Sequence, residues 1–199
     1  MRDRLVATLP PAAHREFLVY VMGPYKAFDV DDLLPDDVST DELAVSFAEW
    51  DTDSGARSEA DVRDLLEDAR DRLRRDAGLN AFLATDAEIP LDEMDAATQT
   101  IEFARASNVV AFVAPEVGKN LGVGIETGAV LEALDDTDRE RVVFVHETGV
   151  SSAMIESVGR RWEATVYDYS TRDELLDRLR TFAADVMNRE LVGDLDPRA

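Results

Sequence analysis

An α/β fold, with a parallel sheet covered by helices on both faces, is predicted by three features of the 199-residue sequence. Short runs rich in Val, Phe, Tyr and Ala recur, and each is followed by a longer segment with apolar residues at helical spacing. The central run, VVAFVA at 109–114, is apolar without alternation, as a strand buried on both faces requires. Alternating β and α segments imply parallel strands joined by right-handed crossovers.

Phe17 to Met22 (FLVYVM) predicts the first strand, ended by Gly23-Pro24. Residues 61–77 (DVRDLLEDARDRLRRDA) place Val62, Leu65, Leu66, Ala69 and Leu73 at three-and-four spacing, with Gly78 as a stop, and predict a helix. Ala81 to Thr85 (AFLAT) predicts the second strand, followed by a segment with Met94, Ala97, Thr98, Ile101 and Ala104 on one helical face. Val109 to Ala114 is the third strand, and the glycine-rich stretch behind it opens the next helix. VVFV at 142–145 predicts a fourth strand, Ser152 to Val158 a short helix, Ala164 to Tyr167 a fifth strand, and Glu174 to Arg189 a final amphipathic helix. Five such strands are expected in the flavodoxin-like order 2-1-3-4-5, with ligands bound at the carboxyl ends of strands 1 and 3, where the winding direction reverses.

The whole chain is read as a single domain, 1–199, with one acidic insertion at about 26–60. This segment is rich in Asp and Ser, separates strand 1 from its helix, and is far longer than the usual connection of about 2 to 6 residues. A short helix is expected in it at DELAVSFAEW, 41–50. A lid, a dimer contact or a merely solvated loop would each suit its composition.

The 43 acidic against 21 basic residues give a formal net charge of -22, and cysteine is absent. That excludes a disulfide scaffold or a thiolate metal site, and it disfavours nucleic acid and anionic membrane as partners. Lysine occurs only at Lys26 and Lys119, while acids are dispersed along every surface segment. This is the composition expected of a halophilic, archaeal protein whose solvation layer is tuned to concentrated salt. With no apolar run of spanning length and no signal-peptide core at MRDRLVATLP, it is read as soluble and cytoplasmic.

The stretch GKNLGVGIETGAV, 118–130, concentrates glycines at 118, 122, 124 and 128 around one carboxylate, Glu126. Each interior glycine costs a helix roughly 0.5 to 1 kcal/mol relative to alanine, so a purely structural helix would avoid them. Gly122 and Gly124 would let a ligand approach the backbone, and first-turn N–H groups would face its oxygens. An acid there also gains a few tenths of a kcal/mol, about 0.3 or more, from the helix dipole with no ligand at all. The spacing of a phosphate-binding P-loop is not met.

VYVMGPY and NLGVGIETG together resemble the nucleoside 2-deoxyribosyltransferase-like family, from Phe17 to about Met187 and apart from the acidic insertion. The resemblance implies a glutamate nucleophile, Glu126, that attacks the anomeric carbon of a nucleoside or nucleotide and expels the base, leaving a glycosyl ester for water or another base to resolve. It implies that Gly23, Pro24, Tyr25, Asn120, Gly122 and Gly124 line the pocket, with neither metal nor organic cofactor, in a homo-oligomer of two or more subunits. Asn120 and Val123 stand where that family usually has Asp and Thr, which alters the hydrogen bonds offered to the sugar. A catalytically inactive nucleotide-binding or sensing module is the rival reading.

The resemblance also implies a second carboxylate, from Asp86, Asp92 or Asp95, of which Asp92 in IPLDEMD is the first choice. His14 is expected before strand 1 and His146 at the end of strand 4, where it could contact a ligand. Two histidines without a carboxylate or cysteine at ligand spacing make no metal site. Trp50 and Trp162 are expected as core or interface anchors, Arg160 and Arg161 at a helix end, and the tail 191–199 either frayed or reaching a neighbour.

Overall fold

The computed structural model describes residues 1–24, 58–116, 130–150 and 164–198. Five parallel strands, β1 (His14–Met22), β2 (Leu79–Phe82), β3 (Val109–Ala114), β4 (Val142–Glu147) and β5 (Thr165–Tyr169), form one sheet in the order 2-1-3-4-5. The flavodoxin-like fold expected from the sequence is the fold observed. The helices are α1 (Arg2–Thr8), α2 (Glu59–Ala77), α3 (Ala96–Ala106), the short α4 (Asp136–Arg139) and α5 (Arg172–Val192). Residues 130–133 are helical as well.

Strand alternation divides the core between the two faces of the sheet. On one face Val19, Val21, Ala111, Val143 and Val145 meet Val62, Leu65, Leu66 and Leu73 of α2 and Leu175, Leu179 and Phe182 of α5. On the other, Tyr20, Val110, Phe112 and Phe144 meet Leu5 of α1, Phe103 of α3, and Val130, Leu131 and Leu134. Register partners Tyr20 and Phe82 stack at 5.0 Å, and Phe103 packs edge-on against both at 5.6 and 5.8 Å. Phe112 and Phe144, also register partners, stack at 4.7 Å. Such pairs add about 0.5 to 1.5 kcal/mol each beyond the area they bury, and they tie β1, β2 and α3 together.

α2 starts and stops where its sequence signals demand. Ser58 and Asp61 form a reciprocal capping box, and Gly78 closes the helix at φ 67°. A Cβ on Gly78 would lie 2.8 Å from the Ala13 Cβ, so glycine there serves both the left-handed turn and the close approach.

Several expectations shift. β1 begins three residues earlier, at His14, whose N–H donates to the Gly78 carbonyl; His14 is an exposed strand residue rather than part of a leading helix or loop. β2 is Leu79–Phe82, not 81–85, because the Asp86 carboxylate takes the Leu83 N–H and turns the chain into a 3-10 turn over Ala84–Ala87. α3 buries Gln99, Thr100, Phe103, Ala104 and Ala106, whereas Ala97 and Thr98 of the expected apolar face are exposed. The Gln99 Nε2 donates to the carbonyls of Ile89 and Met94, and Thr100 Oγ1 bonds back to Ala96, so both polar side chains are satisfied inside.

The tail is neither frayed nor extended outward. Leu195 is buried, Arg141 donates to the Asp196 carbonyl, and Arg198 donates to the Ser107 carbonyl and pairs with Asp138 at 2.8 Å. It is held against the amino ends of β3 and β4. The insertion expected at 26–60, its helix at 41–50, the helix at 152–158, Trp50, Trp162, Arg160 and Arg161 lie outside the described residues, except that Ser58 caps α2 and Glu59 and Ala60 open it.

Candidate functional site

The chain leaves β1 toward α2 on one face of the sheet, and the helical stretch 130–133, downstream of β3, packs on the other. This change of face between neighbouring strands is the switch point. Met22 is the register partner of Phe112, so Gly23-Pro24 and Pro115-Glu116 leave the same edge of the sheet side by side.

Gly23 has a packing reason of its own. A Cβ there would lie 2.5 and 2.8 Å from the two methyl carbons of Leu66, which is fully buried on α2. Gly23→Ala should therefore destabilise the fold by about 1 to 3 kcal/mol through overpacking, read as a lowered denaturation midpoint at constant salt. Pro24 is buried beside it.

The rim continues onto β4 and β5. The Glu116 N–H donates to the Glu147 carboxylate at 2.8 Å, linking the ends of β3 and β4. Thr148 Oγ1 donates to the Tyr169 carbonyl at 3.0 Å and lies 2.9 Å from the Ser170 hydroxyl, while the Ser170 N–H donates to Glu174 at 2.7 Å. The Glu116 carboxylate sits over Gly149, which takes φ 107°. His146, half-buried within β4 and register partner of Ala114, has Nδ1 3.1 Å from the Glu147 carbonyl. By alternation His146 shares the face of Val142 and Phe144, on which Val130 and Leu131 also pack.

Glu116 and Glu147 were not singled out by sequence reasoning. Their signal was position: each falls at the carboxyl end of a strand, where a side chain meets the crevice, but in a chain this acidic a carboxylate by itself does not stand out.

The three aspartates expected as second acids have different surroundings. Asp86 pairs with Arg70 at 2.7 Å and caps the Leu83 N–H, buttressing the turn after β2. Asp95 is the N-cap of α3 and accepts from the N–H and hydroxyl of Thr98. Asp92, the first choice, is exposed in the turn 91–93; the next residue, Glu93, is ion-paired with Arg4 of α1. No hydrogen bond or ion pair among the described residues joins Asp92 to the rim.

The hydrogen bond from the Thr98 side chain, with the backbone N–H behind it, holds the Asp95 carboxyl below its usual value. A depressed folded-state value means that the cap's charge contributes stability above the unfolded value, about 3.9, and that this is lost as pH falls through the folded one. The stability difference between wild type and Asp95→Asn, which keeps a capping oxygen without the charge, should shrink in acid below that point. Urea melts across that pH range would show it.

Tyr25, Asn120, Gly122, Gly124 and Glu126, together with Gly118 and Gly128, lie outside the described residues. Among the described residues no group of three His, Asp or Glu could hold a metal ion, and no helix is long and apolar enough to cross a membrane. Neither a curated protein nor a solved structure matches the chain. One family model, described as a domain of unknown function (DUF7509), matches residues 2–199, essentially the entire sequence, and the chain belongs to that family.

Proposed function

We propose that the protein cleaves or exchanges the N-glycosidic bond of a nucleoside or nucleotide, with Glu126 as nucleophile. The observation that supports this reading is the pairing of Met22 with Phe112, which brings Gly23-Pro24 and Pro115-Glu116, the residues that lead toward the glycine-rich segment, to one edge of the sheet at its switch point. The resemblance of VYVMGPY and NLGVGIETG to the nucleoside 2-deoxyribosyltransferase-like family supplies the substrate class.

The chemistry follows from a positioned carboxylate. Its oxygen bonds to the anomeric carbon as the bond to the base breaks; the base leaves with the electron pair and takes up a proton, and water or a second base then opens the glycosyl ester. That proton comes from a second carboxylate, for which Asp92 is the first choice and the rim acids Glu116 and Glu147 are the alternatives. Neither metal nor organic cofactor enters this scheme, and a homo-oligomer in which a neighbouring subunit completes the pocket accompanies it.

The substitutions Asn120 and Val123 favour a second reading, a nucleotide-binding or sensing module that keeps the pocket without the chemistry. Incubation in concentrated potassium chloride with deoxynucleosides and their 5′-monophosphates, followed by chromatography for free base, separates the two. Time-dependent base release is expected. Saturable binding without any release would sink the enzymatic reading in favour of the sensor.

A further inference from the structure

At the amino edge of the sheet, the end opposite the crevice, a groove of about 480 Å³ opens between α1, α3, α4 and the tail. Four arginines line it, Arg2, Arg105, Arg141 and Arg198, and Arg105 is paired with Glu102 at 3.2 Å. Arg2 donates to the Ala106 carbonyl at 2.7 Å, to Asn108 Oδ1 at 3.1 Å and to the Glu16 carbonyl, all neutral acceptors, and forms no ion pair with a described carboxylate. Arg141 is only 2% exposed; its terminal nitrogens serve Glu190 and the Asp196 carbonyl, and its Nε has no partner. Arg198 pairs with Asp138. Of the four, Arg105, Arg141 and Arg198 each pair with a carboxylate, whereas the partners of Arg2 are neutral, in a chain whose acids outnumber its bases about two to one.

Burial lowers the Arg2 guanidinium from its usual value, and Arg198 and Arg141 push the same way, against Glu16 and Glu190. A half-buried cation beside Arg141 and Arg198, hydrogen-bonded to neutral acceptors, is a site that a bound anion would stabilise. We propose that this groove binds a compact phosphate-type oxyanion, either the free ion or the terminal phosphate of a small ester, through Arg2 and Arg198 with Arg141 at its wall. Guanidinium forks match the paired oxygens of such a group. The outer groove carries Glu102, Asp135 and Asp196, which repel an extended polyanion and restrict the site to small ligands.

Isothermal titration of the full chain with inorganic phosphate, at fixed potassium chloride, should show saturable binding of one ion per chain. Arg198→Gln should weaken it by about tenfold or more, the loss expected for a charge-assisted bidentate contact. Thr137→Glu is the second variant: Thr137 is exposed in the groove, so the fold should tolerate the added charge while phosphate affinity falls. A phosphomonoester binding as tightly as the free ion would mark the site as one for a terminal phosphate; weaker ester binding would mark it as one for the ion. Saturating deoxynucleoside should leave phosphate affinity unchanged, because the crevice lies at the other end of the sheet. Absence of saturable binding, or affinity unaltered in both variants while their circular dichroism matches wild type, would overturn the proposal.

Discussion

Replacing Glu190 with alanine is expected to lower the stability of the fold by about 3 to 5 kcal/mol, a large share of the 5 to 15 kcal/mol typical of a domain. The Glu190 side chain on α5 is 11% exposed and its partner Arg141 only 2%. Its two carboxylate oxygens also accept from Asn108 Nδ2 at 2.9 and 3.0 Å, and Asn108 Oδ1 takes the Leu18 N–H at 3.0 Å. Truncation would strand a buried guanidinium beside an amide that has lost its acceptor. The cost arises from that uncompensated charge rather than from the attraction between the pair, since desolvation consumes much of the Coulomb gain. Arg141→Met combined with Glu190→Leu should therefore regain most of the lost stability, and equilibrium urea unfolding of the singles and the double would show it. Glu93→Ala, which breaks the exposed pair with Arg4, should change little.

The second large effect is chemical. Glu126→Gln, which keeps shape and removes the proposed nucleophile, should reduce base release by roughly 10³-fold or more, in line with losses at other nucleophiles, while KM moves little. Glu126→Asp, shorter by one methylene, should be almost as damaging, because a displacement of about 1 Å can cost on the order of 10²-fold. Rapid acid quench of wild type with substrate should yield a peptide containing Glu126 that is heavier by one glycosyl group. Full turnover in Glu126→Gln would end the proposal, since no ester can then lie on the path.

Much of the fold could be read from one sequence because its signals are local. The apolar run at β3 and the capping box and glycine stop of α2 sit within a few residues of the structure they cause. What was misread depended on partners distant in sequence or on polar satisfaction. Gln99 and Thr100 count as surface residues by hydropathy, yet carbonyl acceptors let α3 turn them inward. AFLAT looked like a strand because Leu83 is apolar; a carboxylate three residues later captured its N–H instead. The docked tail depends on Arg198 meeting Asp138 and Ser107, 60 and 91 residues away, which no window of sequence displays. For the candidate site, topology predicts the switch point, and the structure places Gly23 and Pro24 at it. Glu116 and Glu147 do not stand out among so many acids, and of the three aspartates after β2 the structure gives Asp86 and Asp95 capping and pairing roles and leaves Asp92 exposed.

The lock formed by Asn108, Arg141 and Glu190 makes the two ends of the sheet mechanically unequal. Backbone amide protons at Leu18, Asn108 and Val110, bonded to Asn108 Oδ1, the Leu18 carbonyl and the Arg141 carbonyl, are expected to exchange only through global unfolding. Deuterium should reach them last. Substitutions at the carboxyl edge can then accumulate far from the region that sustains cooperativity, so that edge can vary without sacrificing the integrity of the base.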